Sequence, residues 1–224
     1  MSTAPSIEPE DTRERIKRVA IELFGQHDPD SVSVREIGRA AGQKNVSLLN
    51  YYFGSKDGLL RELIRDFARV HDADRQRRLK ALESRPEPPS IRDILAIILS
   101  RPHDSFPKED AEGPLGAFAD MMLSKKADLL FETLSPELST GTRAGLAHLR
   151  HMFPDLPEQV LSQRMRLLLL LGFSVHSSRR DALRHPHLWP DGWTAEIGQR
   201  NLIDAAIGLL QQPVSAETRE LVPD

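Results

Sequence analysis

Apolar residues recur every three or four positions through most of this 224-residue chain, and no stretch alternates apolar and polar over a strand's length. Side chains three and four apart share one helix face, so this period specifies amphipathic helices rather than a sheet. The clearest case is Ile16, Val19, Ala20, Leu23 and Phe24, one stripe of a helix that Asp11 or Thr12 caps and Gly25 ends. The expected fold class is all-α.

Cap signals set the next boundaries. Ser33 with Glu36 three residues on is a capping-box pattern; Val34, Ile37 and Ala41 then face inward, and Gly42 closes the helix. A third, short helix follows, with Asn45 as its N-cap and Val46, Leu49 and Phe53 as its buried face. Ser47, Leu48, Asn50 and Tyr51 are left pointing outward, with Tyr52 at the margin. Ser55 caps a long fourth helix reaching about Ser84, striped by Leu59, Leu60, Leu63, Ile64, Phe67 and Val70. Further helices are expected over 90–100, 114–134, 140–152, 157–184 and 194–212. The stretches "RPHDSFPKEDAEGP", "SPELS", "FPDLP" and "HPHLWPDGW" break them. The organisation expected is a disordered arm (1–10), a helix-turn-helix domain (11–57), a larger helical body (58–213) entered through the fourth helix, and a tail (214–224).

Composition narrows the chemistry. With no cysteine there is no disulfide framework, thiolate metal site or cysteine nucleophile. The N-terminus lacks the apolar core of a signal peptide, and the apolar run Leu167–Phe173 is far short of the about 20 residues that span a bilayer. A cytoplasmic location is expected. Net charge is only −3, but Arg35, Arg39, Lys44 and Lys56 against Glu36 leave a local positive surplus between Ser33 and Lys56.

That surplus surrounds the third helix, whose two tyrosines cannot both face the core. The side chains of Ser47, Asn50 and Tyr51, with Gln43, Lys44 and Asn45 in the turn, supply donors and acceptors for base edges and phosphates. Leu48 can meet a thymine methyl. Tyr51 and Tyr52 can each donate a phenolic hydrogen bond to phosphate, and Ser33 and Ser55 mark helix N-termini that attract anions. Alone, Lys44 reads equally as a solvated lysine, and Arg35 and Arg39 as partners of Glu36 or water.

Residues 12–64 resemble the DNA-binding domain of the tetracycline-repressor (TetR) family of bacterial transcriptional regulators. The resemblance is carried by "AIELFGQ", "SVREIGRAAG" and "LLNYYFGSKDGLL", and covers roughly a quarter of the chain. It implies phosphate contacts at Ser33, Tyr51, Tyr52 and Lys56, and base reading from Gln43 to Asn50. Gly42 to Phe53 spans one residue more than the family's commonest pattern, and Asn50 stands where a tyrosine is usual. This is similar to a family subgroup with a longer turn.

Rival readings are an all-α interaction protein that binds no DNA, and a metal sensor or enzyme built on histidines. His148 and His151 share a helix face and His185 and His187 flank a proline, but neither pair has a third ligand at motif spacing. No Gly-x-Ser-x-Gly elbow and no outstanding carboxylate pair argue for catalysis, so no enzyme, metal or cofactor is expected.

In the body, Phe118, Met121, Met122, Phe131, Trp189 and Trp193 are candidates to line an apolar pocket, with His176, Ser174 and Ser177 as polar contacts. The helices containing "MRLLLLLGFSV" and "NLIDAAIGLL" carry more apolar surface than one core face needs. The resemblance implies that two such helices build a homodimer, with Leu167, Leu171, Leu202, Ala206, Ile207 and Leu210 as candidate interface residues. The function implied is a homodimeric repressor on a palindromic operator, released by a small hydrophobic ligand.

Overall fold

The computed structural model describes residues 11–43, 47–134, 139–184, 187 and 195–222. Among these residues all regular secondary structure is helical. In order the helices are α1 (Thr12–Gln26), α2 (Val34–Ala40), α3 (Ser47–Phe53), α4 (Lys56–Glu83), α5 (Ile91–Ile98), α6 (Lys108–Glu112), α7 (Pro114–Lys125), α8 (Ala127–Thr133), α9 (Thr140–Met152), α10 (Glu158–Arg184), α11 (Ala195–Gln211) and α12 (Ala216–Glu220).

Most boundaries follow the cap chemistry. Asp11, Ser33 and Ser55 each accept a backbone N–H of the helix they open, so these starts satisfy donors that would otherwise be orphaned. Ser90 and Asp93 form a complete capping box on α5. At α2 only half of the expected box forms: Ser33 Oγ accepts from Glu36 N at 3.1 Å. Gly25 does not end α1, which runs on to Gln26.

Two expectations fail between residues 101 and 134. The proline-rich breaker holds a 3₁₀ turn (Pro102–Ser105) and the one-turn α6. The single helix expected over 114–134 is two, because Lys126 leaves the helical region (φ −130°, ψ 34°) between α7 and α8. At that bend Lys125 and Lys126 pair with Asp28 and Asp30, at 3.2 and 2.6 Å, so the junction is fastened to the loop before α2.

Two apolar clusters hold the molecule. The first joins α1, α2, α3 and the start of α4, and α7 inserts Phe118, Met121 and Met122 into it. The second joins the far half of α4 to α5, α9, α10 and α11. Burying a large apolar side chain is worth about 1.5–3 kcal/mol, so these clusters supply the main driving force for both ends. Val70, assigned to the stripe of α4, is 44% exposed.

Among the described residues no helix is long and apolar enough to cross a membrane, and no group of three His, Asp or Glu stands ready for a metal ion. His148 instead meets Glu83 at 2.7 Å.

Candidate nucleic-acid interface and ligand cavity

The α2–α3 unit is built from backbone outward. Gly42 sits at φ 69°, a left-handed conformation that glycine adopts without a Cβ penalty. Gln43 N reaches back to Gly38 O at 2.8 Å and Gly42 N to Arg39 O at 3.0 Å, which ends α2 and satisfies its last carbonyls. Gly54, at φ 74°, makes the second reversal, and Ser55 Oγ then accepts from Gly58 N at 2.9 Å to open α4.

A helix of seven residues is unstable alone and depends on what it packs against. Leu49 is buried in the N-terminal cluster, and Tyr52 and Phe53 pack on its edge. Arg13 lies 5.6 Å from the centre of the Phe53 ring and ion-pairs with Glu62 at 2.6 Å, bracing α3 between α1 and α4.

With that face locked, Asn50 and Tyr51 lie one turn beyond Ser47 on the opposite face, and all three are exposed. Tyr51 is 80% exposed, its ring edge-on to Tyr52 with centroids 5.3 Å apart. A large aromatic ring held that far into solvent gains little for the fold beyond this one contact. Leu48, expected to point outward, is half-buried. Arg35 and Ser55 are exposed beside this face, and Gln43 is half-buried in the turn. Arg35 makes no ion pair with a described residue, so its charge stays available. Lys44, Asn45 and Val46 lie outside the described residues.

Lys56, expected to contact phosphate, is engaged within the chain. It is half-buried, and its ammonium donates to Pro29 O at 2.9 Å and Val32 O at 3.1 Å. It ties the start of α4 to the loop that delivers Ser33. The same loop carries Asp28 and Asp30, bound by the α7–α8 junction. Nothing in the one-dimensional pattern distinguishes a lysine that clamps carbonyls from one that meets phosphate.

Residues 16–63 match the model of the bacterial regulatory proteins of the tetR family. That stretch is similar to the helix-turn-helix domain of the TetR family. The match adds chain order and spacing to the geometry of Gly42, α3 and Ser55. A curated relative, the "Probable HTH-type transcriptional regulator YttP" of Bacillus subtilis (strain 168), is 28% identical over 93 residues, 42% of this chain. The chain spans 44% of that relative's length. The whole architecture is similar to a TetR-family transcriptional regulator from Streptomyces coelicolor, with TM-score 0.55 and 21% identity over 91% of this chain and 82% of the other. GusR of Salmonella enterica is similar too, with TM-score 0.52 and 19% identity over 92% of this chain and 99% of that one. These likenesses establish the fold: an N-terminal helix-turn-helix domain followed by a larger helical domain.

Within the larger domain, a cavity of about 290 Å³ opens between α4, α7, α8 and α10. Phe118, Met122, Phe131 and His176 line it as expected, with Phe131 half-exposed at its rim and 5.1 Å from Phe173. Met121 does not line it: one residue before Met122, it turns into the N-terminal cluster. Trp189 and Trp193 lie outside the described residues. Phe67, Leu130, Leu169 and Phe173 are lining residues that sequence reasoning passed over. Only their convergence in space distinguishes them from ordinary core.

The interface assignments need correction. Leu202, Ala206 and Leu210 are at most 3% exposed within one chain, packed against α5 and α10, and cannot meet a second copy. Leu171 and Ile207 are partly buried in the same cluster. Leu167 alone of the six stands out, 52% exposed, and Leu170 beside it is 51% exposed.

Proposed function

We propose that this chain is a DNA-binding transcriptional regulator that acts as a homodimer on a palindromic operator, as a repressor released by a small hydrophobic ligand. The observation that carries the reading is the outward face of α3. Ser47, Asn50 and Tyr51 form a polar, hydrogen-bonding strip on a helix whose other face is fixed in the core. Such a face fits the major groove, with Asn50 matched to adenine and Tyr51 to phosphate or sugar. Ser33, Arg35, Gln43, Lys44, Asn45, Leu48, Tyr52 and Ser55 complete the proposed DNA-facing set, and the turn is read as one residue longer than the family's commonest.

In this reading residues 11–57 bind DNA, while 58–213 hold the ligand and the dimer contact, with α4 joining them. The protein works in the bacterial cytoplasm, and needs no cofactor. Two recognition helices must sit about one DNA turn apart to read a palindrome. The exposed Leu167 and Leu170 on α10 supply an apolar patch for a symmetric contact. Phe118 supports the mechanical link, since it lines the cavity and also packs in the N-terminal cluster. The α7–α8 junction, tied to Asp28 and Asp30, adds a second route from cavity to α2. A ligand shifts the balance only as far as it prefers one arrangement over the other.

Selection of bound duplexes from a random pool tests the reading. A palindromic consensus, with affinity falling steeply as salt rises, is the expected result; no enrichment would overturn it.

A further inference from the structure

The cavity has one charged wall. Arg75 of α4 lies at its inner end, and its guanidinium is deeply buried among the carbonyl end of α5 and the first turn of α9. Nε donates to Ile97 O at 3.4 Å, one terminal nitrogen to Thr142 Oγ1 at 3.0 Å and the other to Ile98 O at 2.9 Å. All three acceptors are neutral. Among the described residues no carboxylate forms an ion pair with Arg75. Asp72, which lies near it, spends its two oxygens elsewhere: Oδ1 accepts from Gly141 N at 2.8 Å and Oδ2 from Gln76 Nε2 at 2.7 Å.

A buried cation with no carboxylate in direct contact is costly, and proteins normally pair such charges. Burial pushes the Arg75 pKa down to about 10; the nearby Asp72 and Asp74 resist that fall and Arg78 adds to it, so the group is still a cation at neutral pH. The carbonyl end of α5 offers partial negative charge but not a counter-ion. Of the five N–H groups of a guanidinium, these bonds engage three and leave two.

Among the described residues the rest of the wall is mostly apolar, with His71, Ser100, Ser139, Thr142 and His176 as further polar groups. Phe67, Phe118, Met122, Leu130 and Phe173 are prominent in its walls. Even at about 30 Å³ for each non-hydrogen atom, the share a water takes in the liquid, the cavity has room for at least roughly ten atoms. A charged donor at one end of a small apolar chamber selects an amphiphile with a single anionic head.

We propose that the occupant of this cavity is a compact hydrophobic carboxylate, its head on Arg75 and its body along Phe67, Phe118 and Phe173. The proposal rests on the reading of the cavity as a ligand site, and it names the chemistry that site takes. A carboxylate matches the planar fork of arginine, and the two-point hydrogen bond is charge-assisted.

The test is calorimetric titration of the full chain with octanoate against octanamide, and with 3-phenylpropanoate against 3-phenylpropanamide. Each pair has the same size and differs in the head charge. The carboxylates bind tighter than their amides by about tenfold or more. Arg75→Gln lowers carboxylate affinity to the amide's level and leaves the amide unaffected. Should that variant fail to fold, as circular dichroism reports, the wild-type pairs decide alone. Amides binding as tightly as the carboxylates, or none of the four binding, overturns the proposal. Retention of DNA is measured on the same protein. A chain that selects an operator yet ignores all four probes loses this inference and keeps the regulator reading. A chain that prefers the carboxylates but retains no DNA does the reverse.

Discussion

Gly25 of α1 and Pro114 of α7 meet backbone to backbone: a β-carbon on Gly25 would lie 2.9 Å from the carbonyl oxygen of Pro114. It would also lie 3.1 Å from Ala117 Cβ. This contact joins the helix-turn-helix domain to the helix that carries Phe118 along the cavity wall. In an open helix interior, glycine to alanine gains roughly 1 kcal/mol. Here the clash reverses the sign, because a backbone carbonyl cannot swing aside as a flexible side chain does. Gly25→Ala is expected to lower stability by about 1–3 kcal/mol, the usual range for overpacking. Chemical denaturation of variant and parent measures it; a stabilised variant would refute the close packing.

Lys56 is expected to behave as a structural clamp. Lys56→Met strands the carbonyls of Pro29 and Val32 and loosens the loop that presents Ser33. Loss of hydrogen bonds to a charged group costs about 1.5–3 kcal/mol. The thermal midpoint should fall in the absence of DNA. An unchanged midpoint with a shallower salt slope for DNA binding would return Lys56 to the phosphate-contacting set.

Tyr51 is expected to show the opposite pattern. Its hydroxyl stands in solvent, so Tyr51→Phe leaves stability within about 0.5 kcal/mol of the parent, as surface changes usually do. Affinity for every DNA sequence should fall by up to about 1.5–3 kcal/mol for a lost bond to phosphate. Thermal melts and a mobility-shift titration separate the two effects. Full DNA affinity in the variant removes the phenolic hydroxyl from the interface.

The acid limb of stability offers a further check. Ser90 Oγ and Ser90 N both donate to Asp93 Oδ2, at 2.6 and 3.0 Å, and hold the Asp93 carboxyl below its ordinary value. A folded pKa below the unfolded one contributes stability above the unfolded value, near 3.9, that is lost as pH falls through the folded one. Asp93→Asn should therefore flatten that part of the stability–pH curve below about pH 4. Ser90→Ala should cost about 1 kcal/mol at neutral pH through the lost cap. An acid limb unaffected by Asp93→Asn would contradict the assignment.

The dimer is tested by Leu167→Glu with Leu170→Glu. Both side chains are about half exposed in the single chain, so the charges cost little in a monomer and much in a symmetric apolar contact. A folded monomer by sedimentation, with weakened operator binding, is expected. A doubly charged variant that remains dimeric moves the contact elsewhere.

These corrections mark where sequence patterns lose their power. Helical period and cap residues placed α1 to α5 and α9 to α11 closely, because both act within a turn or two of chain. The same local rules singled out Tyr51 and Asn50, since neighbours on a short helix cannot all face inward. They did not find the break at Lys126, where apolar spacing runs on through the bend. Nor could they separate Leu202, Ala206 and Leu210 from the exposed Leu167, because an apolar face looks alike whether its own chain or a second copy covers it. Lys56 and Arg75 needed distant partners to be understood: the carbonyls of Pro29 and Val32 for one, those of Ile97 and Ile98 for the other.

The central claim is that the outward face of α3 reads DNA, and it is tested by selecting duplexes with the wild-type chain and with Asn50→Ala in parallel. The wild type should yield a palindrome with two half-sites about one helical turn apart. Asn50→Ala should retain the palindrome and lose about 1–3 kcal/mol of discrimination at one position in each half-site. If the wild-type chain enriches no sequence, or if Asn50→Ala returns an identical consensus at every position, the account of α3 as a recognition helix read through Asn50 is contradicted.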